Sequence, residues 1–281
     1  MKNFAIFAHY DEHNLIKDYV VYYLQELSKI VDQIIFVSTS TLDEAELSKL
    51  KSLNVQIILR ENVGHDFYSY KVGLASIQDL TRVDKLILCN DSCFGPLFEL
   101  QNIYAKLINS SGDFWGISAN SRPRLHLQSY FLIFSHQVVN SVAFNDFWQE
   151  LEIISDKDSI VNNYEVGLSQ CLLSAGFKLS SWLPINDYKI KSLPLLCRKW
   201  QIFIGERNNA NSRYSWKNLL EPLTRIDKTI SLFDVSIKNY QLPFLKKSLF
   251  KDHWISHQQI IQIVEDNSNY DVELIKEALH D

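Results

Sequence analysis

Four short apolar runs punctuate the first third of the chain: Phe4–Ala8, Ile34–Val37, Val55–Leu59 and Leu86–Cys89. Runs of this length, the third broken only by Gln56, read as buried strands. Between the first two, Leu15, Ile16, Tyr19, Val20, Tyr23, Leu24, Leu27, Ile30 and Val31 recur at three and four, which predicts an amphipathic helix from Asn14. Thr41-Leu42-Asp43-Glu44 has the form of a capping box and predicts a second helix. Asp66 is placed to cap a third, carrying Phe67, Tyr70, Leu74 and Ile77. Strands alternating with helices argue an α/β layered fold with a mostly parallel central sheet.

The second half is less regular. Gly95-Pro96 is expected to open a helix bearing Leu97, Leu100, Ile103, Leu107 and Ile108. Strands are expected at Asp113–Ser118 and His126–Phe134, and a helix through Val138, Val139, Val142, Phe147 and Leu151. A longer helix should run from Asp156 to Ser174, with Gly176 after it as the C-terminal cap. Gly167 inside it costs about 1 kcal/mol relative to Ala, so either something approaches the backbone there or the helix kinks. From Tyr188 the composition shifts. Lys189, Lys191, Arg198, Lys199, Arg207, Arg213 and Lys217 face only Glu206, with Trp200, Tyr214 and Trp216 interleaved. Two readings stay open: a solvated loop region, or contact with an anionic lipid surface or pyrophosphate-linked acceptor. The expected division is a domain over 1–187 and a mainly helical C-terminal extension over 188–281.

Composition narrows the class. The 281 residues are 46% hydrophobic and 22% charged, as in a soluble globular protein, and the net charge of 28 − 33 = −5 gives no case for nucleic-acid binding. Aromatic residues make up 12%, which fits either ligand stacking or an aromatic core. Cys89, Cys93, Cys171 and Cys197 lack zinc-site spacing. With no signal peptide or membrane span visible, a reducing cytoplasm is expected. The eight glycines form neither a dinucleotide fingerprint nor a P-loop. GxSxG and HExxH are also missing, so dehydrogenase, NTPase, α/β-hydrolase and zinc-protease chemistry lose support.

What remains is Asn90-Asp91-Ser92 at the end of the fourth strand. A carboxylate at the carboxyl end of a central strand stands where open α/β sheets bind ligands. It also suits a hard cation and a diphosphate. A polar turn after a buried strand is the simpler alternative.

Several stretches together carry a family resemblance: His9-Tyr10-Asp11, Asn62-Val63-Gly64-His65-Asp66, Asn90-Asp91-Ser92 with Gly95-Pro96, His126-Leu127-Gln128-Ser129-Tyr130-Phe131, Tyr164-Glu165-Val166-Gly167-Leu168 and Pro243-Phe244-Leu245-Lys246. In these the chain resembles the rhamnan synthesis F family, bacterial glycosyltransferases of cell-wall and surface polysaccharide assembly. The resemblance implies a GT-A type fold, Rossmann-related, with a nucleotide half and an acceptor half on one sheet. It implies Asp91 as the metal carboxylate for Mg²⁺ or Mn²⁺. Asn90 replaces the second acid of the usual pair, leaving one carboxylate, diphosphate oxygens and waters to satisfy the ion. His65 stands where many members carry Arg, so a phosphate contact there is weaker or pH-dependent.

The resemblance further implies Glu165 as the catalytic base of an inverting transfer, although sequence alone favours a surface helix carboxylate. Around the nucleoside it places His9, Tyr10, Asp11 and Ser38, whose polar groups serve equally as strand-end caps. Asn62, Gly64 and Asp66 would hold ribose or sugar, with Asn90 and Ser92 beside the donor. His126, Gln128 and Ser129 would meet the sugar or acceptor. The implied partners are dTDP-L-rhamnose or a related donor and a lipid-linked glycan, met in the cytoplasm with peripheral contact at the inner face of the membrane. The alternative is a non-catalytic carbohydrate- or nucleotide-binding module.

Overall fold

The computed structural model describes residues 1–185, 192–206 and 227–280. The apolar runs become β1 (Lys2–His9), β2 (Gln33–Ser38), β3 (Val55–Leu59) and β4 (Val83–Asn90). All four are mutually parallel, in the order β4-β1-β2-β3. Ala5 to Ala8 and Leu86 to Cys89 are at most 1% exposed, as strands covered on both faces must be. Edge strand β3 leaves Ile57 and Leu59 partly in solvent. The intervening helices are α1 (Asp18–Ser28), α2 (Glu44–Ser48) and α3 (His65–Ala75).

After β5 (Cys93–Phe94) come α4 (Leu100–Ile108), β6 (Phe114–Gly116), β7 (Ala119–Asn120), β8 (His126–Leu127) and β9 (Phe131–Ser135). Strand β9 lies antiparallel between β4 and β6, and β10 (Leu179–Ser181) pairs with β6 at the edge. The seven-stranded order is β10-β6-β9-β4-β1-β2-β3, a mixed, mostly parallel sheet in an α/β fold. Helices α5 (His136–Val139) and α6 (Val142–Glu150) follow β9. Next, α7 (Lys157–Ile160) runs into a π-helical stretch, Val161–Val166, and then α8 (Gly167–Ser174).

The aromatic content is largely core. Phe67, Tyr70, Phe144, Trp148 and Tyr164 are all buried, with Phe67 stacked on Trp148 at 5.9 Å and 5.7 Å from Tyr164. Phe67 follows Asp66 and Tyr164 precedes Glu165, so this packing draws two acid-bearing elements together. Burial pushes the Cys89 thiol up, as for an inert packed cysteine.

The chain divides into two units: Met1–Asp91 with Glu99–Trp182, and Ser92–Phe98 with Leu183–Asp281. In the second, β5 pairs antiparallel with β11 (Leu245–Lys246), alongside helices α9 (Ser192–Glu206), α10 (Phe233–Tyr240), α11 (His257–Asn267) and α12 (Glu273–His280). Of the basic-aromatic stretch, Arg198 pairs with Asp234 and lies over Trp254, Lys199 is buried, and Trp200 is exposed. Lys189, Lys191, Arg207, Arg213, Tyr214, Trp216 and Lys217 lie outside the described residues.

Several local expectations are corrected. Helix α1 starts at Asp18, because the Asp11 carboxylate accepts from the His13 and Leu15 amides and holds a turn there. Asp43, not Thr41, caps α2, accepting from the Glu46 amide. Gly95-Pro96 does not open a helix. Gly95 has φ +137°, a Cβ there would stand 2.5 Å from the Pro243 carbonyl, and that carbonyl accepts from the Leu97 amide, so the segment passes as irregular chain from β5 to α4 at Leu100. The strand expected over His126–Phe134 is broken at Gln128–Tyr130. There the Gln128 amide donates to the Ser118 carbonyl, and the Ser118 hydroxyl meets both Gln128 Oε1 and the Tyr130 hydroxyl.

Candidate functional site

The parallel register ends β1, β2 and β4 side by side: Ala8 opposes Asn90 and His9 opposes Ser38. Apolar pairing stops there, and polar groups collect at the carboxyl ends of the strands. Buried His9 meets the Ser38 hydroxyl through Nδ1 at 2.9 Å, and that hydroxyl accepts from the Ser40 amide at 3.1 Å. The Asp11 amide donates to Ser40 Oγ at 2.8 Å, while the Tyr10 ring stays exposed. His9 and Ser38 thus form a buried clasp.

Asp91 follows directly. Its Oδ2 accepts from the Tyr10 amide at 3.4 Å, and its carbonyl accepts from the Tyr19 hydroxyl at 3.2 Å. Beside it, Asn90 Nδ2 donates to Asp66 Oδ2 at 2.7 Å. Asp66 is therefore not the N-cap of α3. Gly64, at φ +70°, occupies that position, and a Cβ there would come 2.7 Å from Tyr68 Cβ. The preceding loop is fixed by Arg60, which donates to the carbonyls of Glu61, Val63 and His65 and to Ser69 Oγ. Asp66, one residue into the helix, is turned toward β4. Burial pushes its carboxyl up to about 6, and the neighbouring Asp91 charge adds to the rise against the Asn90 hydrogen bond.

Glu165, on the π-helical stretch, is held from the break between β8 and β9. Oε2 accepts from the Ser129 amide at 2.7 Å and the Ser129 hydroxyl at 2.6 Å. Oε1 faces His126 Nε2 at 3.5 Å, and His126 Nδ1 donates to the Arg124 carbonyl at 2.7 Å. Tyr70, whose hydroxyl donates to the Ser129 carbonyl, reports the convergence. Burial raises it well above the usual phenol value, and Asp66, Cys89, Asp91 and Glu165 push in the same direction.

The other sequence-derived positions scatter. Asn62 is exposed on the Arg60 loop. Gln128 is buried and tied to Ser118. Ser92 belongs to the second unit, where its carbonyl accepts from the Lys247 amide. Tyr70, Tyr19 and Arg60 were not singled out from sequence: both tyrosines sit at helical core spacing, and nothing marks Arg60 beyond its place before Gly64. Gly167 supports no functional reading. A Cβ there would meet Phe147 Cε2 at 3.7 Å, an ordinary contact, in right-handed helical backbone. Gly167→Ala should stabilise the fold by about 0.5–1 kcal/mol, read as a rise in the denaturation midpoint.

Among the described residues no three His, Cys, Asp or Glu side chains cluster as a metal site. Asp91 follows Asn90, whose side chain donates to Asp66, so the two acids stand on either side of one hydrogen bond, and the Asp91 charge adds to the burial that raises the Asp66 carboxyl. Mg²⁺ typically takes one or two carboxylates and completes its shell with phosphate and water, so the residues fit such an ion.

Among protein families, the model described as rhamnan synthesis protein F matches residues 34–197. The virulence protein VirA of Vibrio anguillarum is 28% identical over 239 residues, covering 79% of this chain and 70% of its own. The uncharacterized protein y4gN of Sinorhizobium fredii is 27% identical over 188 residues, covering 65% and 49%. A nucleotidyl transferase from Methanothermobacter thermautotroptrophicus superposes at a TM-score of 0.42 with 12% identity, over 64% of this chain and 86% of that one. Residues 1–349 of S. aureus TarS superpose at 0.40 with 14% identity, over 78% and 68%.

Proposed function

The chain belongs to the rhamnan synthesis protein F family, and on that premise we propose that it is an inverting glycosyltransferase of GT-A type. It moves L-rhamnose or a related deoxyhexose from a nucleoside-diphosphate donor, dTDP-L-rhamnose first among them, to a growing lipid-linked cell-surface glycan. What supports this reading is the hydrogen bonding that fixes the three acids: Asn90 reaches Asp66, the Tyr10 amide reaches Asp91, and Ser129, whose carbonyl accepts from the Tyr70 hydroxyl, holds Glu165. Glu165, held at Oε2 by the Ser129 amide and hydroxyl and facing His126 through Oε1, would take the proton of the acceptor hydroxyl. The acceptor oxygen bonds to the anomeric carbon, and the diphosphate leaves from the opposite face with the bonding pair. Mg²⁺ or Mn²⁺, held by Asp91 with Asp66 alongside, would neutralise charge on that leaving group. His9, Ser38 and the Tyr10 ring would frame the nucleoside.

No helix among the described residues is long and apolar enough to cross a membrane. We place the enzyme in the cytoplasm with peripheral contact at the inner face of the membrane, where a lipid-linked acceptor would lie. Trp200 and Ile204, both about half exposed on α9, would contribute apolar contact.

A thermal-shift screen of nucleoside diphosphates and nucleotide-sugars, with and without Mg²⁺ or Mn²⁺, tests the reading. At about 100-fold over Kd a ligand adds about 2.7 kcal/mol, a shift of several degrees. The expected result is a metal-dependent shift with thymidine diphosphate compounds that Asp91→Ala abolishes. No shift with any nucleotide would turn the assignment toward a non-catalytic carbohydrate-binding module, which Asn90 in place of a second acid would then explain.

A further inference from the structure

We propose that His126 is the positioning residue for Glu165, holding its Oε1 as an imidazolium–carboxylate pair. This rests on the reading of Glu165 as the base. His126 is only 2% exposed, and its two ring nitrogens both face oxygen. Nδ1 lies 2.7 Å from the Arg124 carbonyl, an acceptor only, so Nδ1 carries a hydrogen. Nε2 lies 3.5 Å from Glu165 Oε1. A base must be ionised before it acts, and a bare Nε2 would aim its lone pair at that ionised oxygen, so the ring carries both hydrogens.

The pairing completes a two-sided grip. Ser129 fixes Oε2 with its amide and hydroxyl, and His126 fixes Oε1. Both donors come from β8 and the break after it, whereas Glu165 rides on the π-helical stretch. Its orientation is thus set across elements. His126 is therefore an orienting group behind the base, with its ring committed to Arg124 and Glu165, and not a sugar contact.

The test begins without substrate. In protein labelled with ¹⁵N-histidine, the His126 ring signals, assigned by their loss in His126→Asn, should show both nitrogens protonated at neutral pH. In Glu165→Gln they should revert to a neutral ring protonated at Nδ1. A neutral ring in the wild type, or an unchanged ring in Glu165→Gln, overturns the pairing.

The kinetic test uses the nucleotide-sugar that the screen above identifies. His126→Asn keeps a donor on the Nδ1 side but reaches no farther, and should lose about 10²-fold in kcat with donor KM held within about 3-fold. His126→Gln extends an amide toward Oε1 and should recover most of that loss. Wild-type kcat in the Asn variant, or equal losses in both folded variants, overturns the inference while leaving Glu165 as the base. Full activity in Glu165→Gln, or turnover of no donor at all, removes the reading beneath it.

Discussion

Glu165→Gln is expected to lower sugar transfer by about 10²–10⁴-fold, the usual contribution of a positioned general base. The change is nearly isosteric. The side-chain oxygen of glutamine still accepts from Ser129, which donates from both amide and hydroxyl in the wild type. What disappears is the negative oxygen that receives the acceptor proton. Glu165 is partly exposed, its side chain at 16%, so the fold should hold with a melting temperature close to wild type. Donor binding, read as the metal-dependent nucleotide shift, should persist, because the carboxylates on the β4 side are untouched. Asp91→Ala should do the reverse and lose the nucleotide shift itself. A Glu165→Gln enzyme that transfers sugar at the wild-type rate would remove the base assignment and leave Glu165 as a surface anchor for Ser129.

How far the sequence alone reaches differs by element. Central strands β1, β2 and β4 were readable because burial on both faces leaves unbroken apolar runs, and Asp91 stands out at the end of one of them; edge strand β3 kept enough of the pattern despite Gln56. The antiparallel insertion of β9 was not readable, since an apolar run has no direction and its neighbour is chosen by tertiary packing. Asp66 reads as a cap from sequence because Asp serves caps and ligands alike. Only the positive φ at Gly64 and the Asn90 contact separate the two roles. The π-helical stretch under Glu165 is hidden because Ile160, Tyr164 and Leu168 still recur at helical spacing. Ser92–Phe98 joins the second unit through β5 and β11, a pairing of two-residue strands with no periodicity to reveal it. The positions that escaped notice, Tyr70 and Arg60, do their work by burial and backbone contacts, and these leave no mark on a one-dimensional pattern.

Asp66→Asn should stabilise the metal-free protein near pH 8, and the gain should vanish near pH 4. Burial and the Asp91 charge raise the Asp66 carboxyl from 3.8 to about 6. The folded state therefore holds this proton more tightly than the unfolded chain does. As pH rises from about 4 to about 6 the fold is forced to ionise Asp66 at a cost, and above that range the whole cost is present. With part of the side chain reached by solvent, the penalty is on the order of 1–3 kcal/mol. Asparagine never ionises, and its amide oxygen still accepts from Asn90 Nδ2, so it keeps the hydrogen bond and sheds the repulsion. Denaturant unfolding of the chelator-treated protein at both pH values reads the difference directly. Adding Mg²⁺ near pH 8 should stabilise the wild type more than the variant, because the strain between Asp66 and Asp91 is what a cation relieves. The pair thus trades stability of the empty protein for affinity toward a positive ion. A gain equal at both pH values would place the effect in packing, not charge, and would sink that coupling.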